Sequence, residues 1–426
     1  VKTLHLTNAY HETSGGIRTF YHSLLEQGNR LGRETVLVVP GATSGVEAVG
    51  QGRIYTVQAP HAPAFDRRYR LLLPHRYLPF IGAEVVTILE REQPDLVEIC
   101  DKYALPYLAA MLRKHWHPAA GRPTLVGLSC ERFDDNMAAY LSVSAAARRF
   151  TRWYVRHIYG PPFDFHVAVS GYTADELRQA MPDRAPGFIR VLPMGVAAGA
   201  FGPHRRSASL RSRLLAEAGG TDASVLLFYA GRLSPEKNLP LLVDTMAQLQ
   251  AAGGRDYRLV VAGAGPLEGW LHEQGRTRLA GRLLGCGVLG RAALAEHLAS
   301  CDVFVHPNPR EPFGIAPLEA MASGVPVVAP RAGGVLEYAT DQNAWLAAPE
   351  PSAFAGAVRA AADGDAARVA AAQQTARDFD WAEAARRYFE LYDALHLEES
   401  TRSTGVSARR DVSAARPVTC FAETQA

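Results

Sequence analysis

The stretch Glu311-Pro312-Phe313-Gly314-Ile315-Ala316-Pro317-Leu318-Glu319-Ala320-Met321-Ala322 decides how the rest of the chain is read. Two carboxylates stand eight residues apart, with proline and glycine between them. Pro312 and Gly314 break the chain, so a helix begins near Ile315. Glu311 then lies in a loop, and Glu319 about one turn into the helix. The free N–H groups of Gly314, Ile315 and Ala316 at the helix start can hold anionic oxygens. Glu319 can accept both hydroxyls of a ribose, and Glu311 can hold sugar hydroxyls near a reacting carbon. A merely solvated acidic loop has no use for Pro, Phe and Gly between its acids.

On either side of this stretch lie short apolar runs, Val303–His306 before it and Val325–Ala329 after it. Further out are Val225–Ala230 and Arg258–Ala262, and earlier Thr35–Val39, Asp95–Ile99, Leu125–Leu128 and His166–Val169. Longer amphipathic stretches separate them. That alternation predicts α/β architecture, with parallel sheets carrying helices on both faces. The Gly-, Pro- and Arg-rich stretch Pro193 to Arg206 reads as a linker. Two Rossmann-like doubly wound domains follow, residues 1–198 and 199–380, facing a cleft onto which the carboxyl ends of strands open. Phe379-Asp380-Trp381 leads into a helix whose Tyr388, Leu391, Tyr392 and Leu395 share one face. From residue 399 to 426 the composition predicts a mobile tail.

At 426 residues the chain has room for two or three domains. Its net charge of +2 argues against a dedicated nucleic-acid binder. The five cysteines are widely spaced with no C-x-x-C, which fits neither a disulfide framework nor a zinc site and suits a reducing cytosol. The chain opens on the strand-like run Leu4-His5-Leu6 with no signal-type apolar region, and no apolar stretch is long enough to span a membrane. The expected location is cytoplasmic.

Other constellations agree. Ser14-Gly15-Gly16-Ile17 sits between the opening strand and a helix, where two glycines allow close approach of a ligand. Gly231-Arg232-Leu233-Ser234-Pro235-Glu236-Lys237-Asn238 follows a strand directly, so Arg232 and Lys237 emerge where two cations can grip a diphosphate. Lysine is rare in this chain, with only Lys2, Lys102, Lys114 and Lys237, which makes Lys237 more informative. Gly263-Ala264-Gly265-Pro266 ends another strand, Gly333-Gly334 precedes a helix, and Cys286-Gly287-Val288-Leu289-Gly290 can present backbone groups to a nucleobase edge.

Together these motifs resemble the retaining glycosyltransferases of family GT4, which have the GT-B fold. The G-G-I loop, G-R-x-x-x-x-K-N, G-x-G-P, E-P-F-G-I-x-x-L-E-A-M-A-x-G-x-P-V-V-A and late F-x-W occur in that family's order, up to about Leu397. The resemblance implies a nucleotide-diphosphate sugar donor held mainly by the second domain, an acceptor held by the first, and no required cofactor or metal. It places Arg232 and Lys237 on the pyrophosphate, Glu311 on the donor sugar and Glu319 on the ribose. Gly15 and Gly16 approach the diphosphate from the first domain. Gly263, Gly265, Val288, Phe313, Gly314, Ile315 and Ala316 complete the donor site. The last helix, about 381–398, is expected to cross back onto the first domain. Ser14-Gly15-Gly16-Ile17-Arg18-Thr19, Val38-Val39-Pro40-Gly41 and Ser129-Cys130-Glu131-Arg132-Phe133-Asp134 are most similar to GDP-mannose-dependent mannosyltransferases acting on phosphatidylinositol mannosides. That implies mannose as the sugar and a lipid-linked or glycan acceptor.

One position departs from the pattern. The family usually carries His where this chain has Cys130, a weaker hydrogen-bonding group. Glu131, His11, His115 or His117 could take its place, activity could be reduced, or the sugar could differ. Cys130 also fits a small buried residue with no role. A nucleotide-sugar epimerase of the same fold and a catalytically weak sugar-binding protein are the competing readings. Ser144 to Gly160 carries Arg148, Arg149, Arg152 and Arg156 with no acid. Helical spacing puts these on one side and Phe150, Trp153, Tyr154 and His157 on the other. Arg67, Arg68, Arg70 and Arg76 form a second cluster. Either the aromatic side packs into the domain, or the segment meets an anionic membrane surface.

Overall fold

The computed structural model describes residues 1–10, 16–62, 69–78, 83–140 and 144–403. Its first sheet has strands β1 (Thr3–Thr7), β2 (Thr35–Gly41), β3 (Gly45–Val49), β4 (Gly52–Gln58), β5 (Leu96–Cys100), β6 (Thr124–Ser129), β7 (Phe165–Ala168) and β8 (Ile189–Val191). They lie in the order β3-β4-β2-β1-β5-β6-β7-β8, with only the β3–β4 hairpin antiparallel. Every residue of β1, β5, β6 and β7 is buried, as a parallel sheet covered on both faces requires. The second sheet has β9 (Val225–Ala230), β10 (Tyr257–Ala262), β11 (Leu283–Gly287), β12 (Val303–Val305), β13 (Val327–Pro330) and β14 (Trp345–Ala347). Its order is β11-β10-β9-β12-β13-β14.

The apolar runs of the sequence match the buried central strands. The β3–β4 hairpin, β8, β11 and β14 were not foreseen. The first three contain exposed or half-buried positions and so lack a continuous apolar run. Strand order reverses between β1 and β5 in the first sheet and between β9 and β12 in the second. At such reversals the connections leave in opposite directions and a crevice opens beyond the carboxyl ends.

The two sheets are joined twice, side by side. Val196 N–H donates to the Phe379 carbonyl at 2.8 Å, and Trp381 N–H donates to the Val196 carbonyl at 3.0 Å. Most of the Pro193–Gly202 part of the linker stretch is therefore packed, with Val196 and Phe201 buried, whereas Pro203–Arg206 is exposed. Beyond this crossing, helix Trp381–Ser403 packs on helix Gly16–Arg30 of the first domain. Tyr388 Oη donates to the Leu192 carbonyl at 2.8 Å. Tyr392 donates to Glu98, a fully buried carboxylate that also accepts from Tyr21 Oη at 2.9 Å and faces His5 Nδ1 at 3.0 Å. The helix outruns its predicted end near Glu398. Glu398 pairs with Arg190 at 3.1 Å and with Arg402 at 2.5 Å, so residues 399–403 are helical rather than tail. Residues 404–426 lie outside the described residues.

Candidate functional site

The chemistry gathers where the second sheet reverses. β9 delivers the loop Gly231–Asn238, in which Pro235–Lys237 makes a single turn. Asn238 adopts φ 52° and its amide donates to the Pro307 carbonyl at 3.0 Å. This turn aims Lys237 at the loop after β12. Lys237 Nζ donates to both Glu311 oxygens, at 3.0 and 2.8 Å, and Asn308 Nδ2 adds a third bond at 2.9 Å. His306 Nε2 lies 3.6 Å away. Burial alone would raise the Glu311 carboxyl. The Lys237 charge, assisted by His306 and Asn308, outweighs burial and holds it at about 2. Burial also lowers His306 to about 4, so its ring is neutral at physiological pH. A carboxylate offers about four lone-pair sites. Three are taken, and one remains for a hydroxyl.

The backbone around Glu311 is held from behind. Gly334 N–H donates to the Glu311 carbonyl at 2.6 Å, and a Cβ at Gly334 would lie 1.9 Å from the Pro312 carbonyl oxygen. Gly314 sits at φ 89°, its carbonyl accepting from Tyr338 Oη at 2.5 Å. Helix Ile315–Ala322 starts there, with Ile315 and Ala316 partly exposed. Glu319, half-buried on that helix, has its carboxyl pushed up to about 7 by burial, with Arg291 pulling the other way.

Three of the expected donor-site residues are also engaged by the protein itself. Phe313 is 2% exposed, its ring packed against Tyr338 and Phe379. Its side chain belongs to the core, so only its backbone can serve a ligand. Gly263 and Gly265 answer to a protein contact. A Cβ at Gly263 would sit 1.9 Å from the Gly231 oxygen, and one at Gly265 would sit 2.3 Å from the Leu233 oxygen. Leu233 N–H donates to the Ala264 carbonyl at 3.1 Å. These two glycines let the loop after β10 brace the loop that carries Arg232 and Lys237. Val288 is largely exposed, as a residue presenting its backbone to a ligand can be.

The first domain closes the other side. Arg232 reaches across to it, stacking over the Tyr69 ring at 5.2 Å and bonding the Tyr69 hydroxyl, while its Nη1 lies 3.5 Å from Glu236. Gly16 faces the helix start, and a Cβ there would lie 3.6 Å from Ile315 Cδ1. Ser14, Gly15, His11, Arg67 and Arg68 lie outside the described residues. Ser170 Oγ donates to the Pro312 carbonyl at 2.5 Å, and Gly171 N–H to Glu337 at 2.8 Å. Helix Phe133–Tyr140 packs on the Pro235–Lys237 turn. The structure thus brings Arg232, Lys237, Glu311 and Gly16 to one cleft.

Cys130, half-buried, neighbours Cys100, and burial pushes its thiol well above the usual range. It is a neutral, weak donor at physiological pH. Neither His115 nor His117 replaces the missing imidazole. His115 is exposed past the end of helix Pro106–Arg113, which leads away from the carboxyl ends of the strands. His117 is buried against the Tyr77 carbonyl at 3.0 Å. Glu131 does adjoin Cys130. Burial raises its carboxyl, and Asn136 Nδ2 donates to it at 2.8 Å. Sequence reasoning missed Asn308, His306, Ser170, Glu337 and Tyr338. His306 ended an apolar run and Asn308 lay three residues before Glu311, which is the one local signal available.

Two family models match the chain, "Glycosyl transferase 4-like domain" over residues 15–195 and "Glycosyl transferases group 1" over residues 216–378. The chain is 33% identical to a GDP-mannose-dependent alpha-(1-6)-phosphatidylinositol dimannoside mannosyltransferase of Mycobacterium tuberculosis, over 94% of this chain and 98% of the relative. The chain belongs to the GT4 family of glycosyltransferases. This glycosyltransferase is a hexosyltransferase. It is 28% identical to a GDP-mannose-dependent alpha-mannosyltransferase of Corynebacterium glutamicum, over 76% of this chain and 70% of the relative. Its GT-B fold is shared with sucrose-phosphate synthase from Thermosynechococcus elongatus, at a TM-score of 0.72 and 20% identity over 93% of this chain and 100% of that one.

Proposed function

We propose that this glycosyltransferase moves mannose from GDP-mannose to a hydroxyl of a lipid-linked glycan, with retention at the anomeric carbon and without a metal. The observation that carries the reading is the Lys237–Glu311 pair at the reversal of the second sheet, on the loop that also carries Arg232. The mannosyl and lipid parts rest on the names of the two relatives. As the bond from anomeric carbon to phosphate breaks, negative charge grows on the diphosphate. Arg232, Lys237 and the N–H groups at the start of helix Ile315–Ala322 stabilise it, in the manner of an oxyanion hole. The acceptor hydroxyl attacks from the leaving-group face, and the departing phosphate oxygen takes its proton. Glu311 uses its remaining lone pair on a donor-sugar hydroxyl, and Glu319 accepts the ribose hydroxyls. Calorimetry with GDP, UDP and ADP, followed by transfer from GDP-mannose to a mannolipid, tests the reading. GDP is expected to bind at least tenfold more tightly than the other two. Equal affinities, or preference for another base, would overturn the mannosyl assignment.

Glu319 gives this donor site a pH signature. An ionised carboxylate accepts ribose hydroxyls better than a neutral one. With the free group near 7, donor binding favours loss of its proton. Affinity for GDP-mannose, whose diphosphate ester does not titrate in this range, is expected to rise several-fold from pH 6 to pH 8 with proton release at the lower end. Glu319→Gln should flatten the profile. A wild-type profile already flat in calorimetry would refute the assignment.

The proposal includes peripheral attachment to an anionic membrane. No helix among the described residues is long and apolar enough to cross one. On helix Ala145–Tyr154 the aromatic side does not all turn inward. Phe150 is 48% and Trp153 50% exposed, with their rings 6.1 Å apart. Arg148, Arg149 and Arg152 are exposed beside them, whereas Arg156 pairs with Asp183 at 2.5 Å. At about 1 kcal/mol per arginine near an anionic surface, changing all three to Gln should cut vesicle partitioning about 100-fold. Flotation with phosphatidylglycerol vesicles at low salt measures it. Failure of the unmodified protein to float would end the idea.

A further inference from the structure

The wall of the first domain that faces the Lys237 turn carries an arrangement the donor chemistry does not use. The loop after β5 is locked by buried Asp101, whose Oδ1 accepts from the N–H groups of Tyr103, Ala104 and Leu105 at 2.9, 2.6 and 2.9 Å. Asn8 Nδ2 holds the other Asp101 oxygen at 3.0 Å. This rigid loop presents Tyr103, whose ring packs edge-on against Phe133 at 5.5 Å yet stays 41% exposed. Asn136 Nδ2 donates both to Tyr103 Oη at 2.9 Å and to Glu131 Oε2 at 2.8 Å. That ties a ring, an amide and a carboxylate into one unit. The Lys102 ammonium fixes the backbone beneath, donating to the Glu131 carbonyl and to Glu176, each at 2.5 Å.

We infer that Tyr103, Asn136 and Glu131 form a binding platform for a neutral hexopyranose ring, the terminal sugar of the acceptor. A pyranose has one face of C–H groups, which loses water favourably against an exposed aromatic ring. Its hydroxyls need acceptors at the ring edge. Asn136 Oδ1 and Glu131 Oε1 accept no hydrogen bond from the described residues and supply them. Such a site, with a preset aromatic face and a few converging polar groups, is built to read sugar hydroxyls, since a ring lacking them leaves the amide and carboxylate unpaired. The location fits, because helix Phe133–Tyr140, which bears Asn136, packs on the turn that carries Lys237. A sugar on Tyr103 therefore lies on the acceptor side of the proposed diphosphate site. The exposed Phe150 and Trp153 are close by, linked through Tyr154, whose ring is 5.0 Å from Phe133 and 6.3 Å from Phe150. The lipid end of the acceptor would leave in that direction. The inference rests on the transferase reading above for its meaning, but its test does not depend on GDP-mannose being the donor.

Saturation-transfer NMR with methyl α-D-mannopyranoside as probe, on the full chain with and without GDP, tests it. Transfer to the pyranose C–H protons is expected in the wild type. Tyr103→Ala and Asn136→Ala should each reduce it at least fivefold, and Tyr103→Trp should retain it. GDP affinity by calorimetry should stay within twofold in all three variants, which shows that they are folded and that the donor site is intact. No transfer in the wild type, or transfer unchanged in Tyr103→Ala, would overturn the platform. Failure of GDP to bind would instead count against the donor assignment, and the nucleotide-free arm would still decide the platform.

Discussion

Replacing Lys237 by Met is expected to lower kcat by about 10²–10³-fold, the loss typical of removing one preorganised donor from a developing anion. Donor affinity should fall much less, because the charge that Lys237 meets grows mainly as the sugar–phosphate bond breaks. The same change leaves Glu311, 9% exposed, with a charge held only by Asn308 and the neutral His306. Breaking a buried pair costs about 3–5 kcal/mol. Lys237 keeps 22% of its side chain in solvent, so about 2 kcal/mol is the expected loss of stability. The two losses can be separated. The double variant Lys237→Met/Glu311→Gln removes the stranded charge and should recover most of the stability without recovering turnover. Its acid behaviour should change as well. Glu311 sits near 2 in the folded protein against a usual 4.5, so the wild type gains stability from it above about pH 4.5 and loses that gain as pH falls towards 2. Glu311→Gln should flatten this part of the stability profile. Urea unfolding at several pH values and steady-state kinetics check both points. A Lys237→Met enzyme within tenfold of wild type would refute the role given to Lys237.

The break in the chain around Glu311 was legible because Pro312 and Gly314 act locally, whatever the fold. The central strands were legible because burial on both faces demands continuous apolar runs. The Lys237–Glu311 bond was not, since it joins residues 74 positions apart in sequence and depends on β9 and β12 being neighbours. Gly263 and Gly265 announced a close approach without saying to what. The partner proved to be the Gly231–Leu233 backbone. For Phe313 the reason is related, because a motif fixes which residues line a loop but not which way an aromatic ring turns, and here the ring packs into the core. For the arginine-rich helix, a fixed angle per residue separated the aromatic side from the basic side. It could not tell which side meets the protein, and the angle itself narrows where the helix passes into the wider turns of Val155–Tyr159.

Trp381→Ala is expected to destabilise the protein by about 3–5 kcal/mol, the range for emptying a buried large aromatic site. Trp381 is 3% exposed, packs against Phe20 at 5.6 Å, and fills the space beside Gly195 so closely that a Cβ there would lie 2.8 Å from the indole. Its backbone also holds Val196, where the two connections between the sheets run together. A cavity here therefore loosens the joint between the domains as well as the core. The cleft contacts that depend on that joint, Ser170 with Pro312 and Glu337 with Gly171, should weaken with it, so kcat should fall too. Trp381→Phe separates packing from polarity. The indole N–H is buried with no partner among the described residues, and an unsatisfied buried donor itself costs about 1–3 kcal/mol. Phenylalanine keeps much of the ring volume and removes that donor, so its net loss should be about 1 kcal/mol or less. Urea midpoints for the three proteins, read with turnover at a temperature where all remain folded, decide the matter. Equal losses in the Ala and Phe variants would mean that ring volume at this joint is not what holds the domains in place.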